Sequence, residues 1–246
     1  MLPHILPLVP PHRIYTESFV GGAAVYWAKE PAESEIINDL DGEISNFYRI
    51  LRSEFDNLKE MIEATLHSRE AYYDAMHIYK RPHMHDDLRR AWAFYVLTQQ
   101  GFSCKIGSWG FGRDTTIAKK LVNAAARLNG ELVARLRMTQ IECNDAEKVI
   151  TSRDAEDAFH YVDPPYFNSH CGHYTGFGEL EFESLLRCLA QVKGKFLLSS
   201  YPSDVLAKYV ASERWHQKKV ELTVAVSMRS AVKKKWEVLT GNYPLY

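Results

Sequence analysis

Short apolar runs and longer amphipathic segments alternate along the chain, as in a sheet with helical connections. The apolar runs predict strands at residues 13–19, 35–38, 138–143, 195–199, 220–226 and 236–240, with one more leading into Asp163. Helical spacing predicts helices at residues 23–29, 42–58, just after Asp145, 178–192 and 203–211. The alternation stops between residues 67 and 138, where the pattern is mostly helical. We therefore predict an α/β fold with a doubly wound parallel sheet, an antiparallel C-terminal hairpin and a helical insert.

Charge divides the chain in the same way. Residues 1–66 carry 5 basic and 11 acidic side chains, residues 67–138 carry 12 and 6, and residues 139–246 carry 13 and 14. A basic segment in a chain of net charge −1 fits one face that contacts phosphates, although solvated helices can show the same bias. We predict a sheet domain of residues 1–66 and 139–246 and a basic helical insert of residues 67–138 that contacts phosphates.

Composition narrows the class of protein only a little. Hydrophobic residues make up 46% and charged residues 25%, as in ordinary globular proteins. The sequence contains neither an apolar run of membrane-spanning length nor a signal-peptide pattern, so we expect a cytoplasmic protein. The four cysteines are widely spaced and predicted to be reduced. No cysteine or carboxylate stands at a supporting distance from His77, His83 and His85, so no metal site is predicted.

The segment His160 to Tyr166 carries the most specific chemistry. It is predicted to be a buried strand that ends in Asp163, Pro164, Pro165 and Tyr166, at the edge where α/β sheets keep their ligands. The carboxylate of Asp163 can accept a hydrogen bond from an amine, and the prolines leave carbonyl oxygens as further acceptors. The ring of Tyr166 offers a stacking face for a planar base. An ordinary Asp-Pro turn is the alternative.

The turn after the first strand has a second signal. Gly21 and Gly22 follow Phe19 and let backbone approach a ligand closely. Asp39 ends the next strand, 20 residues after Phe19, a spacing that suits a ribose contact. Asp145 and Asp163 end two further predicted strands, which would place three acids on one edge. Simple strand–helix packing would give the same pair of glycines.

These motifs, in this order, resemble the D12 class of DNA adenine-N6 methyltransferases, in its Dam-like α group. Residues 15–22 resemble the family's cofactor turn, residues 37–40 its ribose-binding strand end, and residues 144–146 its adenine-binding segment. Residues 163–166 resemble its catalytic signature. Ser18 stands where the family usually has proline. Members also usually begin with a Gly-Gly-Lys segment, whereas this sequence starts at Met1. We expect either a start further upstream or a form of reduced cofactor affinity and activity.

The resemblance implies a Rossmann-like methyltransferase sheet and a cofactor, S-adenosylmethionine, which becomes S-adenosylhomocysteine. The implied cofactor-binding residues are Glu17, Phe19, Gly21, Gly22, Asp39, Asp145 and Asp163. The implied catalytic residues are Asp163, Pro164, Pro165 and Tyr166. The substrate would be an adenine flipped out of double-stranded DNA in a bacterium or phage, and the protein would act as a monomer. A restriction enzyme partner stays open. Two other functions also stay open: a methyltransferase that acts on RNA or protein glutamine, and a DNA-binding relative with impaired catalysis.

The basic insert supplies the predicted DNA contacts. Residues 101–112 hold four glycines, which would let backbone approach a groove while Trp109 presents a stacking face. The predicted DNA-binding residues are Arg89, Arg90, Lys105, Ser108, Trp109 and Arg113. Packing of Trp109 within the protein is the alternative.

Overall fold

The computed structural model of the chain describes residues 1–102, 106–112, 118–167, 177–224 and 233–246. These residues form two compact units. The sheet unit comprises Met1–Asp39 and Asn144–Tyr246, and the helical unit comprises Leu40–Cys143. Among the described residues, no helix has the length and apolarity needed to cross a membrane. Within the same ranges, no group of three or more His, Cys, Asp or Glu side chains is placed to bind a metal ion.

Strands and helices follow the predicted order closely. The strands are β1 (Ile14–Glu17), β2 (Ser34–Asn38), β3 (Thr139–Glu142), β4 (Ala158–Val162), β5 (Lys195–Ser200), β6 (His216–Val224) and β7 (Lys233–Gly241). The helices are α1 (Leu2–Ile5), α2 (Ala24–Ala28), α3 (Gly42–Ser53), α4 (Phe55–Glu63), α5 (Arg69–Lys80), α6 (Asp87–Gln100), α7 (Ala118–Arg127), α8 (Gly130–Arg137), α9 (Ala146–Arg153), α10 (Glu179–Leu189) and α11 (Asp204–Glu213). Short 3₁₀ turns span Leu6–Leu8 and Pro82–Met84.

The sheet unit is built on one mixed sheet. Its strands lie in the order β2-β1-β4-β5-β7-β6. The pairs β1–β2, β1–β4 and β4–β5 are parallel, while β5–β7 and β6–β7 are antiparallel. The chain moves from β1 to β2 on one side and returns to β4 on the other. This reversal creates a switch point at β1, where α/β sheets bind ligands. The predicted α/β fold and its antiparallel C-terminal pair are confirmed.

Burial explains why the central strands were recognisable from sequence. All five residues of β4 are buried, and five of the six residues of β5 are buried. A strand covered on both faces is a continuous apolar run rather than an alternating one. Phe182, Leu185, Leu186 and Leu189 of α10 pack with Phe196 and other sheet residues in one core cluster. The core thus holds β4 and β5 rigidly, and with them the residues that follow each strand.

The helical unit is larger than the insert predicted from sequence. It begins at Leu40 and includes α3 and α4, whereas the predicted boundary lay at residue 67. The predicted helix 42–58 is two helices, α3 and α4, separated at Glu54. α3 belongs here because Phe47 stacks on Tyr95 of α6 and the Asn46 amide donates to the Asp87 carbonyl at 2.8 Å. Helices α3, α5, α6 and α8 begin at side-chain caps from Asp41, Ser68, Asp86 and Asn129.

Candidate active site

Three strands of the sheet unit bring polar residues to one edge. In the parallel register, Glu17 at the end of β1 lies beside Ile37 of β2 and Tyr161 of β4. The residues that follow each strand therefore emerge side by side: the Ser18 turn, Asp39 and Asp163. The carboxyl ends of parallel strands always share an edge, so strand order alone creates this cluster.

The glycine turn after β1 has a conformation that requires its glycine. Gly21 has φ +44°, in the left-handed region, and Ala23 joins it at φ +53°. Asp39 fixes the turn, because its Oδ2 accepts a hydrogen bond from the Gly21 N–H at 3.0 Å. A Cβ atom placed on Gly21 or Gly22 would meet no atom within 4 Å. The turn thus presents backbone to open space, as a close-approaching ligand requires.

Asn38 joins the first two strand ends to the start of α9. Its side-chain amide donates to the carbonyls of Ser18 and Asn144, at 2.9 and 3.0 Å, and its Oδ1 accepts from the Asn144 N–H at 2.9 Å. Asp145, the next residue, caps α9 through a 3.1 Å bond from the Lys148 N–H. The buried Asn38 therefore holds Asp145 in a fixed place relative to the glycine turn.

Glu17 is buried rather than open to solvent. Its Oε2 accepts hydrogen bonds from the Tyr15 hydroxyl at 2.6 Å and from the Tyr26 N–H at 2.9 Å. Burial raises the pKa of Glu17 to about 8, against the opposing effect of these two hydrogen bonds. The charge of nearby Asp163 raises this pKa further. Glu17 thus ties β1 to α2 behind the glycine turn; its predicted contact with a cofactor stays a prediction.

Asp163 lies in a recess, exposed on one side and flanked by aromatic residues. Its Oδ1 accepts a hydrogen bond from the Tyr166 hydroxyl at 3.1 Å, and its Oδ2 accepts one from the Tyr161 hydroxyl at 3.3 Å. The protein around it excludes enough water to raise the pKa of Asp163 to about 6, although both tyrosines oppose this shift. At neutral pH the side chain is therefore a carboxylate with two neutral donors, and each oxygen retains a second lone pair.

Tyr166 is held from the neighbouring strand. Its hydroxyl lies 3.1 Å from Ser199 Oγ at the end of β5, and its ring centroid lies 4.3 Å from that of Tyr201. Pro164 is buried and Pro165 half-buried. Among the described residues, none donates a hydrogen bond to the Pro164 carbonyl. The recess thus combines a carboxylate, a backbone acceptor and aromatic rings, which suits a planar aromatic amine.

Comparison with known proteins agrees with this geometry. The D12 class N6 adenine-specific DNA methyltransferase family matches residues 1–235. The chain belongs to this family. It is 28% identical to the type II methyltransferase M1.LlaDCHI of Lactococcus lactis subsp. cremoris, over 99% of this chain and 91% of that protein. It is 26% identical to the DNA N-6-adenine-methyltransferase of Escherichia phage P1, over 73% of this chain and 25% of that protein. The recognition made from the sequence motifs is confirmed.

Two predicted DNA-binding arginines, Arg89 and Arg90, differ in exposure and in their partners. Arg90 is engaged inside the helical unit: its guanidinium donates to the Glu43 carboxylate at 2.6 Å and to Asp87 at 2.8 Å. These partners raise the pKa of Arg90. Arg89 is 62% exposed and lies 3.6 Å from Asp86, one turn earlier on the helix. A role in DNA contact stays a prediction for both, and it needs less rearrangement at Arg89.

Trp109 is half-buried among other side chains of the helical unit. Its ring stacks near His67 and Phe111, and the Arg69 guanidinium lies 4.7 Å from its centroid. Its indole N–H donates to Gln100 Oε1 at 3.4 Å. These contacts close the turn around exposed Ser108, whose carbonyl accepts from the Phe102 N–H. The packing alternative for Trp109 therefore has direct support, and its contact with DNA stays a prediction.

Some predicted residues lie outside the described part of the chain. Lys105 and Arg113 are among them. The predicted site residues do not include Tyr161, Asn38 and Ser199, whose side chains contact those residues or the turns beside them. Each lies within or at the end of a predicted strand, but only the register shows that its side chain reaches the site.

Proposed function

We propose that this family member transfers a methyl group from S-adenosylmethionine to N6 of an adenine flipped out of double-stranded DNA. The observation that carries the proposal is the recess at the end of β4. There the Asp163 carboxylate stands beside an open glycine turn and between tyrosine side chains. A carboxylate and a backbone carbonyl are the two acceptors that an aromatic amino group needs.

The residues at the sheet edge fit the cofactor. The open backbone at Gly21 and Gly22 would accept close approach of the ligand, and Asp39 and Asp145 would accept hydrogen bonds from ribose and adenine. Phe19, packed edge-on to Phe177 with 5.8 Å between the ring centroids, would line the same turn. When bound, S-adenosylmethionine supplies a methyl group on a sulfonium, which is a good leaving group.

The protein's own contribution is to position and polarise the amine. Asp163 accepts one amino hydrogen and the Pro164 carbonyl accepts the other. This draws the nitrogen lone pair out of conjugation with the base and directs it toward the methyl donor. Tyr166 stacks on the base and limits its rotation. Orientation of this kind contributes large rate factors without covalent catalysis. Flipping is required because N6 of a paired adenine lies inside the duplex stack.

The test is a transfer assay with methyl-labelled S-adenosylmethionine on duplex DNA, RNA and whole-cell protein. We expect label in DNA alone, recovered after digestion as N6-methyldeoxyadenosine. Label in RNA or in protein glutamine would overturn the assigned substrate. Calorimetric titration with S-adenosylmethionine separates the remaining alternative, since an impaired DNA-binding relative would bind DNA without measurable cofactor affinity.

A further inference from the structure

Tyr161 contacts the Asp163 carboxylate from within β4. It lies in β4 two positions before Asp163, and only 3% of it is exposed. Its hydroxyl donates to Asp163 Oδ2 at 3.3 Å, while Tyr166 donates to Oδ1. The two phenols thus approach different oxygens of one carboxylate.

The two tyrosines differ in how firmly they are placed. Tyr166 follows two prolines, lies outside the strands of the sheet, and also contacts Ser199. A bound base that stacks on Tyr166 can disturb its hydroxyl contact. Tyr161 is part of a strand that pairs with β1 and β5, so its position does not depend on the base. Its contact with Asp163 therefore persists when the site fills.

We propose that Tyr161 is a positioning residue that fixes the Asp163 carboxylate in the orientation needed to accept the adenine amino group. The inference rests on the proposed function. Oδ2 accepts from Tyr161, so the carboxylate cannot rotate freely about its own bond, and the remaining lone pairs point in defined directions. The contact also favours the charged form of Asp163, which is the form that accepts a hydrogen bond.

Other ionisable groups near the recess affect the same carboxyl. Glu17 approaches from β1, and its buried carboxyl interacts with Asp163. Tyr166 lowers the pKa of Asp163 together with Tyr161. Glu237 of β7 acts on Tyr166. Removal of the Tyr161 hydroxyl leaves all of these in place, so a change in Asp163 titration after that substitution reports on this hydroxyl.

The experiment compares Tyr161→Phe with Tyr243→Phe. The Tyr243 hydroxyl also donates a hydrogen bond within the sheet unit, to the Leu8 carbonyl at 2.6 Å, but its ring packs on Phe159 at the amino end of β4. Each variant removes one phenol oxygen that donates a hydrogen bond. We measure kcat and KM for DNA, the affinity for S-adenosylmethionine, the pH–rate profile, and the pKa of Asp163 from its ¹³C carboxyl resonance.

For Tyr161→Phe we expect kcat to fall about tenfold, as for loss of a hydrogen bond to a charged group, with KM and cofactor affinity nearly unchanged. The acidic limb of the profile and the Asp163 resonance should both move to higher pH, because a donor to the charged form is lost. Tyr243→Phe should change none of these. The inference is overturned if Tyr161→Phe has the same rate as Tyr243→Phe. It is also overturned if the rate falls but the acidic limb of the pH–rate profile and the Asp163 resonance do not move. A wild-type chain that fails to methylate adenine overturns the proposed function instead, and the Asp163 resonance still tests the contact.

Discussion

Two acidic residues at the sheet edge and two in the helical unit have different partners. At the sheet edge, Glu17 and Asp163 accept hydrogen bonds from tyrosine hydroxyls and a backbone N–H, and the pKa of each is raised. In the helical unit, Glu43 and Asp87 accept from Arg90, and Asp87 also pairs with Arg49 at 2.7 Å. Neutral groups thus donate to the two sheet-edge acids, whereas guanidinium groups donate to the two acids of the helical unit.

This difference has a consequence for binding. Asp163, held by neutral donors, is a carboxylate at neutral pH and keeps its remaining lone pairs for a ligand, such as an amine near a sulfonium. A carboxylate paired with arginine stabilises the fold and also occupies a cation that might otherwise contact phosphate. Net charge along a sequence therefore overstates the basic surface of the helical unit, whereas it understates the reactivity of the sheet edge.

The largest expected effect concerns stability at the sheet edge. Folding raises the pKa of Glu17 from 4.5 to about 8, so the folded state keeps a proton that the unfolded state loses between these values. The free energy of unfolding should therefore fall as pH rises from about 4.5 to 8, by about 5 kcal/mol at most. Glu17→Gln should remove this part of the decline, because its amide oxygen can still accept from Tyr15 and Tyr26. Urea denaturation at several pH values measures the free energy of unfolding of both proteins.

Exposed Glu156→Gln, in the same unit, serves as the control and should leave the decline unchanged. Equal pH profiles for wild type and Glu17→Gln would show that Glu17 is not held neutral in the folded protein.

The next largest effect separates catalysis from cofactor binding. Asp163→Ala should lower the methyl transfer rate by roughly a hundredfold or more, as expected for a key positioning group. Affinity for S-adenosylmethionine should change little, because the glycine turn and its Asp39 contact remain. Single-turnover assays and calorimetry on the same preparation give both quantities. A variant with more than about a tenth of the wild-type rate would remove Asp163 from this role.

Asp39→Ala and Asp145→Ala should each weaken S-adenosylmethionine binding by about 1.5–3 kcal/mol, the value of a hydrogen bond to a charged acceptor. Asp39→Asn and Asp145→Asn are the matched variants. Asparagine at position 39 can still accept from the Gly21 N–H, and asparagine at position 145 can still cap α9. A loss of affinity in the asparagine variants therefore reports the missing charge rather than a disturbed turn or helix start. Unchanged affinity in both alanine variants would place the cofactor elsewhere.

The smallest expected effects test the helical unit. Arg90→Ala should destabilise the protein by about 1–2 kcal/mol, because it leaves the mostly buried Glu43 without its cation. Arg89→Ala should leave stability unchanged but lower the salt dependence of DNA binding by about one unit of slope. Lys105→Ala and Arg113→Ala should act like Arg89→Ala. If Arg90→Ala flattens the salt dependence while stability is kept, the assigned partners of Arg90 are wrong.

The sequence by itself determined the sheet and the edge at which its polar residues meet. Buried parallel strands are continuous apolar runs, so β4 and β5 were recognisable, and polar residues after such strands must meet at one edge. Asp39 and Asp163 could be selected for that reason alone. The glycine turn was recognisable because few residues other than glycine adopt φ +44° readily.

Only the tertiary structure decided which groups each side chain meets. The amphipathic pattern of residues 42–58 shows that one face is buried but not that α3 packs on α6, so the predicted boundary at residue 67 differs from the compact unit. The burial of Tyr161 follows from its strand, yet its hydroxyl contact with Asp163 depends on side-chain rotation and register. A count of charges cannot distinguish Arg90, held by Glu43, from exposed Arg89, because pairing is set by packing between helices distant in sequence.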